Sequence, residues 1–120
     1  MTKETNNSKM TVETFFESLA LKQDLIYAVA YTNSFKKDVK RCYKQNLDLF
    51  KLFIIIEKLA KIEELPPKNY VHSLTGYGKE RKGEKFMECH ILPDWVLIWV
   101  QKDSEMILIF TNTGTHSDLF

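Results

Sequence analysis

The sequence predicts an α+β fold in which a helix hairpin packs on a small antiparallel sheet, with an extra amphipathic helix at the N-terminus. Three observations carry this. Apolar residues recur with a helical period in three stretches of the first half; a β-branched and aromatic run, "LIYAVAYT", interrupts them; and three strand-like runs separated by turn residues fill the second half. A chain of 120 residues supports one modest core, and it shows neither a repeat nor a second domain.

From Thr11 to about Gln23, Val12, Phe15, Phe16 and Leu19 share one helical stripe, and Thr14 with Glu17 has the spacing of a capping box. "LIYAVAYT" then reads as a first strand, ended by Asn33 and Ser34, either of which can cap the next helix. In that helix Phe35, Val39, Cys42 and Tyr43 form the packing stripe. A longer helix, about Leu47 to Ile62, carries a broad apolar surface through Leu49, Leu52, Phe53, Ile56, Leu59 and Ala60, and the prolines of "EELPPKN" stop it. After a glycine-bearing loop that contains His72, strands are expected at Lys85 to Leu92, Trp95 to Gln101 and Met106 to Thr111, with turns at Pro93–Asp94 and Asp103–Ser104.

The first ten residues, "MTKETNNSKM", are polar and expected to be loose. They lack the apolar run of a signal peptide, and no segment reaches membrane-spanning length, so a cytoplasmic protein without a membrane partner is expected. Cys42 and Cys89 have neither the number nor the spacing of a disulfide framework or a zinc site and read as reduced, inert thiols. The formal charge is only +1, yet "FKKDVKRCYK" holds five basic residues against one acid and "KERKGEK" four against two. Lys37, Lys40 and Arg41 in the first, and Arg81, Lys82 and Lys85 in the second, are candidate phosphate contacts; a solvated helix face is the plainer explanation.

The stretch "ECHILPDWVLIW" sets polar His90 and Asp94 among residues that want a core. If Pro93 and Asp94 form the turn, Leu92 faces Trp95 and His90 faces Leu97; a turn at Asp103–Ser104 would set Leu97 opposite Phe110 and Trp95 opposite Asn112. On this register the tail "TGTHSDLF" begins beside Asp94, so His116, Asp94 and His90 share one end of the sheet. An imidazole offers a proton donor or acceptor near neutral pH and a carboxylate orients it. Three histidines and an aspartate also suit zinc by ligand type, but no two histidines have the short spacing of a metal motif, and no metal or other cofactor is expected.

"VHSLTG", "ECHILPDWVLIW" and the terminal "TGTHSDLF" resemble, in order, the motifs of the YafQ branch of the RelE/ParE toxin superfamily, the messenger-RNA interferases of bacterial type II toxin-antitoxin systems. The resemblance covers about residues 26–120, which makes 1–25 an N-terminal extension. It implies a RelE-like fold and a metal-independent endoribonuclease that cuts translated message in the ribosome. It further implies a cognate antitoxin as partner, with operator DNA reached only through that complex. By position the resemblance makes His72, His90, Asp94 and His116 catalytic, with Trp95 and Phe120 contacting RNA. His116 oriented by Asp94 is expected to be one acid-base group and His72 or His90 the other. Met87 stands where relatives often carry arginine, and Arg81, Lys82 and Lys85 are the candidates to replace it. The competing readings are a gyrase-directed toxin of the same fold and a catalytically silent protein that pairs with an antitoxin on its operator.

Overall fold

The computed structural model describes residues 9–22 and 24–120. The loose start expected at residues 1–8, and Gln23 at the end of the first helix, lie outside them. Helix α1 (Val12–Leu21) is capped by Thr11, whose hydroxyl accepts from the Thr14 backbone N–H at 3.1 Å. The expected Thr14–Glu17 box does not form, because Thr11 opens the helix one turn earlier and Thr14 becomes part of it. Strand β1 (Ala28–Tyr31) is shorter than "LIYAVAYT".

Helix α2 (Asn33–Lys44) is capped by Thr32 rather than by Asn33 or Ser34, and α3 (Leu49–Ala60) by Asp48. A single 3-10 turn (Pro67–Asn69) opens on the second of the paired prolines and leads into a two-residue strand, β2 (His72–Ser73), in what the sequence reads as loop. Strands β3 (Lys85–Leu92), β4 (Trp95–Lys102) and β5 (Ile107–Gly114) form the expected meander, and the short helix α4 (His116–Leu119) ends the chain.

The sheet has the order β1-β5-β4-β3-β2 and is not wholly antiparallel, since β1 runs parallel to β5. Parallel pairing is possible because the two helices and most of the sheet lie between these strands in the chain, far more than a crossover requires. The register also departs from the expected one, in three places. Ile91 is bulged, so Leu92 still meets Trp95 but His90 pairs with Val96. The β4–β5 connection is not a two-residue turn: it takes Asp103 to Met106, with Met106 in the left-handed region at φ 52°. A second irregularity at Ile98/Trp99 adds another residue to β5. Together these move Leu97 from Phe110 to Thr113, and Val96 pairs with Gly114.

Alternation along the strands separates two faces. Cys89, Ile91, Trp95, Leu97, Trp99, Leu108 and Phe110 pack against Phe35, Val39, Leu52 and Ile56 of the helices, with Phe15 and Leu19 of α1 closing the layer. Glu88, His90, Val96 and Ile98 lie on the other face, away from α2 and α3. Tyr77 crosses it: its ring meets Phe86 of β3 edge-on at 5.3 Å and its hydroxyl donates to Asn112 Oδ1 of β5 at 2.7 Å. Val96 and Ile98 between those strands are fully buried.

Candidate functional site

The turn Pro93–Asp94 and the start of α4 meet at one end of the sheet because β5 runs on to Gly114 opposite Val96. Thr115 then caps α4 in a reciprocal box with Asp118, which fixes the direction in which His116 leaves the chain. His116 Nδ1 lies 3.0 Å from Asp94 Oδ1, and the same oxygen accepts from the His116 backbone N–H at 3.2 Å. These bonds, the ring's first and the backbone's second, hold the Asp94 carboxyl below its ordinary range. A carboxylate accepts only, so Nδ1 carries the proton and Nε2 faces away from the pair.

His90 stands beside this pair, its ring centroid 5.7 Å from that of His116. Its Nδ1 lies 3.3 Å from the Pro93 carbonyl, an acceptor that again assigns the proton to Nδ1. The His90 carbonyl in turn accepts from Asn69 Nδ2 at 2.7 Å, and Asn69 is almost completely buried. The turn after the two prolines is thereby fastened to β3.

His72 occupies β2 opposite Glu88. Its Nδ1 is 2.8 Å from the Tyr70 carbonyl and its Nε2 is 3.0 Å from Glu88 Oε1. Both ring nitrogens are therefore engaged by oxygen atoms of the protein. The ring also stacks on Tyr70, centroids 4.1 Å apart, and Tyr70 lies 6.0 Å from His90. At the opposite end Phe120, largely exposed, lies 6.0 Å from His116 and 5.9 Å from Tyr77. Phe120, His116, His90, Tyr70 and His72 therefore form one continuous row of rings on an open surface.

Trp95 is not part of that surface. It is 1% exposed, faces the helices, and its indole N–H donates to Thr113 Oγ1 at 2.9 Å, so packing accounts for it and RNA contact does not. Arg41 is also committed elsewhere. Its guanidinium lies 3.2 Å from Asp38 and 3.4 Å from Asp118, and donates to the Thr113 carbonyl at 3.0 Å, joining α2 to β5 and the tail. A Cβ at Gly114 would stand 2.6 Å from Arg41 Nη2, so any side chain there would displace the guanidinium from this network.

The remaining cations are not brought to the rings. Lys37 and Lys40 are exposed on α2, which packs on the helix-bearing face. Lys85 lies at the far end of β3, about 16 Å from His90 at the usual strand rise, and is 3.7 Å from Asp103. Arg81 and Lys82 belong to the turn closed by Glu84, which pairs with Lys102 at that same far end. The side chain at Met87 packs partly into the helix-facing core, on the side of the sheet away from His90.

Burial pushes the thiols of Cys42 and Cys89 up to about 12, consistent with inert cysteines. Among the described residues no three histidine, cysteine or acidic side chains gather closely enough to hold a metal ion. Nor is any described helix long and apolar enough to cross a membrane. Sequence reasoning missed Tyr70, Asn69 and Asp38. "LPPKNY" carries only a helix-stop signal, and Asp38 sits within a run read for its positive charge.

A family model described as a bacterial toxin of a type II toxin-antitoxin system, YafQ, matches residues 27–120. The mRNA interferase toxin YafQ of Escherichia coli K12 is 32% identical over 93 residues, which is 77% of this chain and 94% of that one. The toxin in the crystal structure of the E. coli DinJ-YafQ toxin-antitoxin complex superposes with a TM-score of 0.66 at 33% identity, over 80% of this chain and 99% of that chain. A metal-bound toxin from Helicobacter pylori does so with a TM-score of 0.66 at 34% identity, over 77% and 97%.

Proposed function

The chain belongs to the YafQ family of bacterial type II toxin-antitoxin toxins, and from that premise we propose that it is an mRNA interferase, a ribosome-dependent endoribonuclease cutting translated message by metal-independent acid-base catalysis. In this reading residues 26–120 are a RelE-like toxin domain, residues 1–25 are an extension, and the protein works in the cytoplasm. Its partner is a cognate antitoxin, and operator DNA is met only through that complex. One observation carries the proposal: two imidazoles 5.7 Å apart, each with Nδ1 engaged by an oxygen acceptor, with an exposed phenylalanine at one side.

The chemistry follows from that arrangement. A ribose 2′-hydroxyl loses its proton to one Nε2 as its oxygen attacks the adjacent phosphorus in line. The 5′-oxygen leaves with a proton from Nε2–H of the other ring, which enters the step as an imidazolium and ends it neutral while the base ends it protonated, giving a 2′,3′-cyclic phosphate and a 5′-hydroxyl. His116, oriented by Asp94, and His90 are the proton-transfer pair. His72 has both nitrogens engaged, so it supports the shape of the site instead of shuttling a proton. Phe120 stacks on a base and holds the scissile step in line. Lys37, Lys40, Arg81 and Lys82 are left as contacts to RNA or rRNA phosphates away from the reacting bond.

Induction of the chain in cells with 5′-end mapping of transcripts tests this directly. New 5′ ends within translated regions are expected, reduced by about 10²- to 10⁴-fold in His116→Ala and in His90→Ala. Undiminished cleavage in both variants would remove the acid-base assignment, and growth arrest without new ends would remove the ribonuclease reading.

A further inference from the structure

Tyr70 combines three properties that packing does not explain. It is 61% exposed, and it adopts the left-handed region at φ 43° and ψ 63°, where bulky side chains are outliers. Its ring also joins the row of the reacting surface, stacked on His72 at an interplanar angle of 25° and tilted 46° to His90.

The backbone around it is built to hold this pose. Pro66 and Pro67 set the turn, the buried Asn69 ties it to the His90 carbonyl, and the Tyr70 carbonyl accepts from His72. A left-handed residue at this position would be met at least cost by glycine or asparagine. A tyrosine there, with its ring in water, is a strained arrangement fixed by the surrounding contacts.

We propose that Tyr70 is a nucleobase platform, which, together with Phe120 on the other side of the His90–His116 pair, brackets the scissile step and selects the base stacked on it. The proposal rests on the ribonuclease reading and goes beyond it by naming a second, specificity-determining contact. Its physical basis is the ring row. Tyr70 and Phe120 are each 6.0 Å from the nearer imidazole of the pair, so the two exposed rings flank the His90–His116 pair on either side. Stacking on an exposed aromatic is a favourable way to capture an unpaired base.

The test compares Tyr70→Asn, which suits the left-handed backbone and removes the ring, with Tyr70→Phe, which keeps the ring. Each full-length chain is induced at matched levels, after thermal melts establish that the purified variants fold, and transcript 5′ ends are mapped. The expected result is a loss of about 10- to 100-fold at the favoured cut sites in Tyr70→Asn, with an altered base preference beside the cut. Tyr70→Phe should retain the wild-type level within a few-fold. Unchanged cleavage in Tyr70→Asn overturns the platform. So does a uniform loss at all sites with an unchanged base preference, which is what support of His72 alone would produce. Absence of cleavage by the wild-type chain overturns the ribonuclease reading instead.

Discussion

His116 closes on Asp94 twice, through Nδ1 at 3.0 Å and through its backbone N–H at 3.2 Å, although the two residues are 22 positions apart and both are exposed. A single carboxylate oxygen thus fixes both the ring and the chain that carries it. This relationship is the hinge of the site, and it is open to titration.

The His116 contacts depress the Asp94 carboxyl in the folded state. A depressed value means that the interaction contributes fully above the unfolded carboxylate range and is lost as pH falls through the folded value. An NMR titration of the Asp94 carboxyl carbon is expected to show a midpoint below the usual carboxylate range. In His116→Ala the midpoint should rise, though not completely, because the backbone N–H remains. An identical midpoint in both proteins would mean that the pair does not form in solution.

Arg41 serves the architecture more than any ligand. Asp38 is 7% exposed and accepts from the Thr113 N–H and from Asn112 Nδ2, both at 3.0 Å, with Arg41 balancing its charge. Arg41→Met leaves that carboxylate without its cation and frees Asp118 of the tail. Because the Arg41 side chain is about a third exposed, solvent screening lowers the penalty to about 1–3 kcal/mol in urea denaturation. Lys37→Ala and Lys40→Ala should stay within about 0.5 kcal/mol. Equal stability of all three variants would return Arg41 to the pool of free surface cations.

Trp95 is held by a short relay: its indole donates to Thr113 Oγ1, which donates to the Val96 carbonyl at 2.8 Å. Thr113→Val keeps the shape and deletes the acceptor. The buried N–H is then unsatisfied, and a loss of about 1–3 kcal/mol is expected in equilibrium unfolding. A neutral outcome would show that the indole finds another partner.

Helix α1 lies outside the segment shared with relatives, yet Phe15 is fully buried, meeting Phe16 edge-on at 5.1 Å and Phe35 at 6.3 Å. Phe15→Ala should therefore cost about 3–5 kcal/mol of global stability, the range for a fully buried phenylalanine. A change below about 1 kcal/mol would mean that α1 is detached in solution.

Much of this molecule was legible in local pattern. The 3.6-residue stripes of Phe35–Val39–Cys42 and of the Leu49–Ala60 helix and the Pro93–Asp94 turn each rest on interactions within a few residues, and the structure keeps them, whereas that helix ends at Ala60 on a left-handed Ile62 and not at the prolines. The proximity of His116 to Asp94 was also legible, though through a register wrong by three residues. It survived because β5 is longer than expected and delivers the tail to the same corner.

Local pattern thus fixed the three longer helices, the four longer strands, their order and the family motifs, but not β2 or α4, since periodicity and turn chemistry act along the chain. The tertiary structure alone decided the bulges at Ile91 and near Ile98, the parallel β1, the burial of Trp95 and the engagement of Arg41. It alone stacked Tyr70 on His72. Each of these depends on which face a side chain takes and what lies across from it. A one-residue bulge reverses facing without leaving a local mark, because both registers satisfy nearly the same backbone hydrogen bonds and only packing against distant residues separates them.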